Sequence, residues 1–327
     1  MAVKQFIEAI HDAIYGEMQS DDRVFVLGED VGVRGGVFRV TAGLIDEFGE
    51  SRVIDTPLTE SAIVGVGIGA AMAGTKPIAE IQFADFILPA MNQIISEAAK
   101  IRYRSNNDWN CPMVIRTPFG GGIHGALYHS QSMEALFTHV PGLKIAIPST
   151  PSDAKGMLIS AIRDPDPVLF FEHKRLYRLL KEEVQDGAYT VPLGKAAVRR
   201  VGDDLTVISY GLALHFALEA AEKLAAEGIS AHVLDLRTLR PLDEEAILEA
   251  ARKTGKVLIV HEDNKVCGIG AEVSAIIAEK ALFDLDAPIM RLAGPDVPAM
   301  AFNPVLEKAY MLSPDKIADA MRKLANF

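Results

Sequence analysis

Several features that often reveal a protein's function are scarce in this sequence of 327 residues. There are only two cysteines, Cys111 and Cys267, and neither stands in a CxxC or zinc-type spacing, which argues against a disulfide scaffold and a zinc site. Lys and Arg number 33 against 44 Asp and Glu, which gives a net charge of −11. The sequence therefore lacks the basic footprint of a nucleic-acid-binding protein.

Long hydrophobic runs and two common catalytic motifs are also absent. The longest uncharged run of small apolar residues, 62–74, is shorter than the roughly 20 residues that a membrane-spanning helix needs. Residues 1–17 carry acidic side chains within an apolar helical pattern, unlike a signal peptide. Neither a GxxxxGK[ST] phosphate loop nor a GxSxG nucleophile elbow occurs. We therefore expect a soluble cytoplasmic protein with no membrane segment.

What the sequence does contain is a regular alternation of short apolar runs and helical patterns. The apolar runs show little polar alternation, which is typical of parallel strands buried on both faces. In the first part, strands are predicted at 23–30, 52–57, 76–82, 113–118, 143–148 and 168–173, with a long helix at 86–104. In the second part, strands are predicted at 204–211, 230–238, 256–263 and 289–295, with helices at 213–227, 243–254, 270–282 and 314–325.

A break in this alternation suggests where one domain ends. Charged residues, a glycine and a proline cluster between 174 and 200, so we predict domains at 1–185 and 200–327, joined by a linker at 186–199. The predicted fold class is α/β, with two parallel-sheet domains in tandem. From residue 200 onward there are 14 basic and 20 acidic side chains, so this shorter part is the more acidic per residue. An acidic surface can steer a basic partner, although it more often serves solubility.

Two short motifs allow more than one interpretation. The run GVGIGA at 65–70 fits a dinucleotide fingerprint, but it lies within a helical pattern and is better explained by close helix packing. Glu60 opens the same predicted helix after the sequence TPLT. As a first-turn acid it would favour the helix dipole, whereas burial among Leu58, Ile63 and glycines would favour its protonated form. By spacing alone the first interpretation is the better one.

Three further segments contain residues that could take part in catalysis or ligand binding. The stretch 117–132 combines three successive glycines with His124 and His129, which suggests close approach to a ligand and acid–base work. No carboxylate is near them in sequence, so we do not expect these histidines to bind a metal. Phe83 and Phe86 are more often core residues than cofactor-stacking ones. Asp164 and Asp166 most simply form a turn, with a cation site as the weaker alternative.

At these residues the sequence resembles the beta subunits of thiamine-diphosphate-dependent 2-oxo acid dehydrogenases. The segments LGEDVG, GGVFR, DTPLTE, EIQFADF, RYRSNN and HGALYHSQS carry the resemblance, and it continues through PGLK, IPSTP, SAIRDPDPVLFFEHKRLYR, DLRTLRPLD and AGPD. It covers essentially the whole chain, with the motifs in the family's order. The forms FADF and HGALYHSQS are most similar to the branched-chain (2-oxoisovalerate) type, whereas pyruvate and acetoin types share most of the rest.

The resemblance implies a transketolase-like pyrimidine-binding domain followed by a transketolase C-terminal domain. It also implies an α2β2 heterotetramer with beta–beta contacts, in which thiamine diphosphate lies between an alpha and a beta chain. The alpha chain would hold Mg²⁺ and the diphosphate through a GDG…N motif, which this sequence lacks. The chain would then contribute only half of an active site.

The resemblance implies a role for each of several site residues. Glu60 matches the glutamate that hydrogen-bonds the aminopyrimidine ring, which favours the burial interpretation of this carboxyl. Phe86 matches the aromatic residue that stacks on the pyrimidine, and Leu58 and Gln82 match its neighbours. Glu29 matches an acid near the cofactor's polar network. His129 matches the histidine that faces the reacting centre, a candidate proton donor and guide for the lipoyl arm.

The resemblance also implies a potassium-like site and a docking surface. The matching site residues are Met113, Ala161, Ile162, Asp164 and Asp166, although Asp166 replaces a more common Asn. Asp286 and the terminal carboxylate of Phe327 match the region that docks the small basic domain of the lipoyl acyltransferase component. The implied reaction is decarboxylation of a 2-oxo acid with transfer of the acyl group to lipoyl.

Rival interpretations are an acetoin or pyruvate dehydrogenase beta subunit, and a non-catalytic docking protein with the same fold. The presence together of Glu60, Phe86 and His129 argues against the docking protein. A dinucleotide-binding oxidoreductase, based on GVGIGA alone, is the weakest alternative.

Overall fold

The computed structural model describes residues 1–327, which form two compact units. The first unit comprises residues 1–119 and 136–193, and the second comprises residues 120–135 and 194–327. The chain thus enters the second unit twice, which the sequence did not predict. The predicted domain limits of 1–185 and 200–327 stay a prediction. None of the helices combines the length and apolar character needed to cross a membrane.

The first unit is built on a parallel sheet. Its strands are β1 (Ala2–Gln5), β2 (Val24–Gly28), β3 (Val53–Asp55), β4 (Lys76–Glu80), β5 (Val114–Phe119), β6 (Lys144–Ala146), β7 (Val168–His173) and β8 (Lys181–Val184). Six of them pair in the order β6-β7-β5-β4-β2-β3, all parallel. Strands β1 and β8 form a separate antiparallel pair. Every residue of β5 and β7 is buried, as expected for central strands covered on both faces.

Helices cover this sheet. They are α1 (Phe6–Ser20), α2 (Leu44–Phe48), α3 (Glu60–Met72), α4 (Ile101–Arg104), α5 (Glu134–Thr138), within which the chain re-enters the unit, α6 (Pro151–Arg163) and α7 (Leu176–Leu179). Helix α1 buries Phe6, Ile10, Ile14 and Met18, a stripe at four-residue spacing. The GVGIGA run lies inside α3 and not at a strand-to-helix turn, as expected for a packing motif.

The prediction of one long helix at 86–104 was wrong. The segment instead contains 3₁₀ turns at Ala84–Phe86, Leu88–Ala90 and Ala98–Lys100, a π-helical stretch at Asn92–Glu97, and only then α4. Pro89 explains part of the difference, because proline lacks an N–H donor and disfavours a continuous α-helix. The π-helical stretch ends where the N–H of Ala98 bonds to the carbonyl of Gln93, five residues back.

The second unit has its own, mostly parallel sheet. The strands of this unit are β9 (Ala197–Arg200), β10 (Leu205–Ser209), β11 (Ala231–Asp235), β12 (Thr238–Arg240), β13 (Val257–Asn264) and β14 (Met290–Gly294). Five of them pair in the order β14-β13-β10-β11-β9, with only the edge strand β9 antiparallel. The helices are α8 (Gly211–Ala225), α9 (Glu244–Thr254), α10 (Ile269–Lys280), α11 (Pro304–Tyr310) and α12 (Pro314–Ala325).

The core of the second unit lies where α8 and α12 cover the sheet. Leu205 and Val207 of β10, Leu258 of β13 and Met321 of α12 are all fully buried there. The predicted strands and helices of this part are confirmed, with ends that shift by at most three residues. Helix α11 and the short strands β9 and β12 were not predicted.

Candidate active site

Three predicted site residues lie at the carboxyl edge of the first unit's sheet. Glu29 directly follows β2, Gln82 lies two residues after β4, and Glu60 opens α3, which follows β3. Parallel strands end at the same edge of a sheet, and ligands of open α/β sheets bind in the crevice outside those ends. The topology therefore explains how residues far apart in sequence reach one place.

Contacts at this edge link the polar groups. The side-chain amide of Gln82 donates from Nε2 to the main-chain oxygen of Glu29, at 3.4 Å. Partial burial raises the pKa of the Glu29 carboxyl, and the negative charges of Glu60 and Asp30 raise it further. The edge thus gathers carboxylates and an amide, which suits a ligand that offers both donors and acceptors.

Phe86 supplies an aromatic surface close to these groups in sequence. It ends the 3₁₀ turn Ala84–Phe86 and is partly buried. Its ring packs edge-to-face against Phe83, with 6.0 Å between centroids and 87° between planes. The Lys174 ammonium also contacts the Phe83 ring, with its Nζ 5.4 Å from the ring centroid. Phe86 is therefore held in orientation by the ring behind it.

The surroundings of Glu60 differ from the sequence expectation. A carboxyl enclosed by apolar neighbours was expected, but Glu60 is only partly buried and Leu58 is 72% exposed. The reason is that residues 56–59 form an irregular connection between β3 and α3 and do not pack into the core. Nearby, the hydroxyl oxygen of Thr56 is buried without a hydrogen-bond partner in the chain, and so is the amide oxygen of Gln93.

Beneath the same edge lies a buried ionic cluster that the sequence did not reveal. Arg116 of β5 is fully buried and makes two bonds to Glu172, from Nε at 2.6 Å and Nη2 at 2.7 Å. Its Nη1 donates to Glu80 at 2.7 Å, and the Tyr177 hydroxyl donates to Glu172 at 2.6 Å. Burial raises the pKa of Glu80, against the opposing effect of Arg116. Because β4 and β7 are the two neighbours of β5 in the sheet, Glu80 and Glu172 lie on either side of Arg116, and α7, which directly follows β7, brings Tyr177 to Glu172.

The residues matched to a potassium-like site are engaged within the chain. Met113, Ala161 and Ile162 are buried, whereas Asp164 and Asp166 are partly exposed. Lys144 donates to both oxygens of Asp164 at 2.7 Å, and Arg102 bonds Asp166 at 2.5 Å. The Asp166 N–H donates to Asp164 at 2.9 Å, which forms the turn expected from the sequence. Two side-chain cations thus already neutralise the carboxylates that a potassium ion would use.

His129 belongs to the segment 120–135 of the second unit, which we call the His129 loop. It is partly buried and follows the 3₁₀ turn Ala126–Tyr128. The neighbouring His124 has a partner that the sequence did not predict, because its Nδ1 lies 2.6 Å from Oε2 of Glu307. A carboxylate 183 residues further along the chain is thus next to this histidine.

A group of buried acids within the second unit includes Glu134, near the end of the His129 loop. Glu134 accepts a hydrogen bond from the Tyr210 hydroxyl at 2.8 Å. Burial, and then the charge of Asp263, raise the pKa of Glu134 well above its ordinary value. Burial also raises the pKa of Asp263 to about 6. One signal of this cluster was present in the sequence, since the apolar run of β13 ends in the acidic pair Glu262 and Asp263.

The two predicted docking residues are on the surface of the second unit. Asp286 is exposed, and its N–H donates to the Gly255 carbonyl at 2.7 Å. Phe327 is 63% exposed. No group of three or more His, Cys, Asp or Glu side chains is arranged to hold a metal ion.

Comparison with known families agrees with this architecture. Residues 3–180 match the family "Transketolase, pyrimidine binding domain", and residues 194–317 match "Transketolase, C-terminal domain". A solved structure titled "Split gene transketolase, inactive beta4 tetramer" superposes with a TM-score of 0.80 at 24% identity, covering 98% of both chains. The fold is therefore that of two transketolase-like domains, as predicted.

Comparison with individual relatives allows a closer family assignment. The chain is 68% identical over 327 residues to the 2-oxoisovalerate dehydrogenase subunit beta of Bacillus subtilis, covering all of both chains. It is 49% identical over 320 residues to the mitochondrial 2-oxoisovalerate dehydrogenase subunit beta 2 of Arabidopsis thaliana, covering 98% of this chain and 88% of the relative. It is 47% identical to the pyruvate dehydrogenase E1 component subunit beta of Bacillus subtilis, again over both full chains. The chain belongs to the transketolase-related family of 2-oxo acid dehydrogenase beta subunits.

Proposed function

We propose that this chain is the beta subunit of the decarboxylating component of a branched-chain 2-oxo acid dehydrogenase complex. The main support for this proposal is the chain's 68% identity to the 2-oxoisovalerate dehydrogenase subunit beta of Bacillus subtilis. Its identity to the pyruvate dehydrogenase beta subunit of the same organism is 47%. Both comparisons span the full chains, so the difference reflects sequence and not coverage. The favoured substrates are branched 2-oxo acids, with pyruvate or acetoin as the alternative.

The cofactor we propose is thiamine diphosphate, whose pyrimidine the first unit would bind. The chemistry this group supplies, when bound, is a carbon nucleophile and an electron sink for decarboxylation. Glu60 would exchange a proton with the pyrimidine ring nitrogen, and Phe86 would stack on the ring. Support comes from the shared sheet edge, the Gln82-to-Glu29 hydrogen bond and the electrostatic effect of Glu60 on Glu29. Leu58, being exposed, is free to cover a ligand.

His129 is proposed to face the reacting centre, where its imidazole would donate a proton and guide the lipoyl arm. The support is its partly buried position at the end of a glycine-rich loop, which permits close approach to a ligand. A histidine is suited to this role because its charge changes near neutral pH.

The partners we propose are an alpha subunit, a second beta subunit and the lipoyl acyltransferase component. The alpha subunit would hold Mg²⁺ and the diphosphate, since this sequence has no GDG…N motif. Asp286 and Phe327 are proposed to contact the basic domain of the acyltransferase, supported by their exposure on the more acidic part of the chain. A K⁺ site at Asp164 and Asp166 is supported less, because Lys144 and Arg102 pair with these carboxylates.

The function is tested by reconstitution with an alpha subunit and thiamine diphosphate, on a panel of 2-oxoisovalerate, 2-oxo-4-methylvalerate, pyruvate and acetoin. We expect decarboxylation only with both subunits, and the highest kcat/KM on the branched acids. Full activity of the lone chain would contradict the subunit assignment. A preference for pyruvate or acetoin would replace the substrate assignment, and binding of cofactor without turnover would favour a non-catalytic docking protein.

The role of Glu60 gives a first prediction. Glu60→Gln removes the ionisable carboxyl and should lower the turnover of the reconstituted enzyme by about 10²-fold or more, the usual effect of losing general acid–base help. Glu47→Gln, at an exposed acid in the first turn of α2, is the matched control and should leave turnover unchanged. Near-normal turnover of Glu60→Gln would leave this carboxyl with only the helix-start role.

A further inference from the structure

The local sequence of the His129 loop does not favour a single backbone conformation. It contains Gly120, Gly121 and Gly122 in succession, and glycine loses more conformational freedom on folding than any other residue. His124 and Ala126 also take positive φ angles, 58° and 57°, which disfavour non-glycine residues. Ordering such a segment requires interactions from outside it.

Carboxylates of the second unit supply those interactions. Oε1 of Glu307, on α11, accepts hydrogen bonds from the N–H groups of Gly122 and His124, both at 3.1 Å. Its other oxygen, Oε2, lies 2.6 Å from Nδ1 of His124. Oε1 of Glu262, at the end of β13, accepts from the N–H of Gly121 at 2.6 Å. Hydrogen bonds to a carboxylate are about twice as strong as neutral ones, and Glu307 is only 4% exposed.

The anchored part of the loop is packed directly against His129. A Cβ placed on Gly125 would lie 2.6 Å from the main-chain oxygen of His129 and 2.9 Å from its Cβ. Between them, the turn Ala126–Tyr128 is closed by the His129 N–H bonding to the Ala126 carbonyl. The loop is also closed at its base, where the Gly120 N–H donates to the Gln131 carbonyl at 3.0 Å. A shift of His124 would therefore be passed to His129.

We propose that Glu307 is a positioning residue, which holds His124 and the glycine run so that His129 keeps the orientation used in acyl transfer to lipoyl. The role in acyl transfer rests on the proposed function, whereas the anchoring of the loop does not. Glu262 assists at one amide. Glu307 itself need not touch substrate or cofactor, because it acts through three contacts to the loop.

The first arm of the test measures anchoring on the full-length chain in its complex, by hydrogen–deuterium exchange of peptides covering 120–135. Glu307→Ala should speed exchange at Gly122 and His124 by about tenfold or more, since exchange reports local opening. Glu307→Gln keeps a side chain of the same size with one acceptor oxygen, so its exchange rate should lie between those of wild type and Glu307→Ala. Glu249→Gln, at an exposed acid of α9, should exchange like wild type. Unchanged exchange in a folded Glu307→Ala protein would overturn the proposal.

The second arm measures single-turnover acylation of lipoyl by the reconstituted enzyme. Glu307→Ala should slow acylation roughly 10- to 100-fold, the scale of a misplaced catalytic group, with substantial rescue in Glu307→Gln. Combined with His129→Ala it should cause no further loss, because both changes remove the same interaction. Additive losses would overturn the positioning role. Wild type inactive on every 2-oxo acid would instead refute the proposed function, while the exchange result would still decide the anchoring.

Discussion

At the scale of single residues, Arg116 is the clearest case of a side chain whose surroundings decide its effect. It is fully buried between Glu80 and Glu172, so its charge is compensated by carboxylates on both neighbouring strands. Burying an ion is costly unless it is paired, and removing one partner leaves the others uncompensated. Replacing one member of the cluster alone should therefore destabilise the fold.

This argument predicts that Arg116→Met lowers the free energy of unfolding by about 3–5 kcal/mol, the usual cost of breaking a buried ion pair. Denaturant unfolding measures it. Arg104→Met provides the control, since Arg104 pairs with Glu97 at 2.8 Å on the surface and should contribute less than about 1 kcal/mol. Equal effects of the two changes would show that leaving Glu80 and Glu172 without Arg116 carries no particular cost.

Asp263 links a single carboxyl to the pH dependence of stability. Its pKa is raised by burial to about 6 in the folded chain, and the charge of the neighbouring Glu262 also raises it. A carboxyl with a higher pKa in the folded than in the unfolded chain stabilises the fold when protonated. That contribution is complete below about pH 4, the unfolded value, and is lost as the pH rises through about 6.

We therefore predict that Asp263→Asn removes this loss. Relative to wild type, the variant should gain on the order of 2 kcal/mol in free energy of unfolding between pH 4 and pH 8. Asparagine keeps an oxygen that can accept the hydrogen bond now made by the Asn264 N–H at 2.7 Å. Unfolding titrations of both proteins across this range give the difference. A difference that does not vary with pH would mean that Asp263 keeps an ordinary pKa.

At the scale of elements, close backbone approaches decide where loops can pass. The turn before β6 brings Gly142, with φ +97°, against the segment that precedes α4, and a Cβ on Gly142 would lie 1.9 Å from the Ala99 carbonyl oxygen. Gly74, after α3, has nearly the same φ of +98° but nothing within 4 Å of its Cβ position. Replacing Gly74 would therefore test backbone strain alone, whereas replacing Gly142 would test strain together with steric overlap.

Alanine at both positions should reveal that separation in thermal or denaturant unfolding. Gly74→Ala should cost about 1–2 kcal/mol, from the left-handed backbone alone. Gly142→Ala should cost a further 1–3 kcal/mol, because the Ala99 carbonyl must move. If the two variants proved equally stable, the contact between the turn and Ala99 would be looser than the structure indicates.

At the scale of the whole molecule, the excess of acidic side chains gains a proposed purpose. Composition alone allowed only a role in solubility or steering, whereas the proposed docking to the acyltransferase component would give these acidic side chains a basic partner. Asp286 is exposed on the acidic second part, near the fully exposed ring of Phe283. At physiological ionic strength, salt largely screens the attraction between exposed charges that lie more than about 8 Å apart.

Binding of the acyltransferase's basic domain should therefore weaken as salt is raised. Asp286→Asn should raise Kd by roughly two- to fivefold at low salt, the range of one exposed ion pair, and should reduce the salt dependence. Asp46→Asn, at an exposed acid on α2 of the first unit, is the control and should leave Kd unchanged. Calorimetry at several salt concentrations makes the comparison. A salt-independent Kd would contradict electrostatic docking.

The sequence by itself determined the α/β class, most strands and the family. Buried parallel strands such as β7 are nearly continuous apolar runs, and the motifs around Glu60, Phe86 and His129 occur in the family's order. These are local signals, which depend on neighbours within a few residues. The site roles carried over with the motifs stay predictions until the variants are measured.

Only the tertiary structure decided how distant charges meet. Glu307 reaches His124 across 183 residues, and Arg116 pairs with carboxylates on two other strands, because sheet order and helix packing place them side by side. It also showed that Glu60 is partly exposed and that residues 84–104 do not form one helix. Burial and pairing depend on the whole fold, and no local pattern records them.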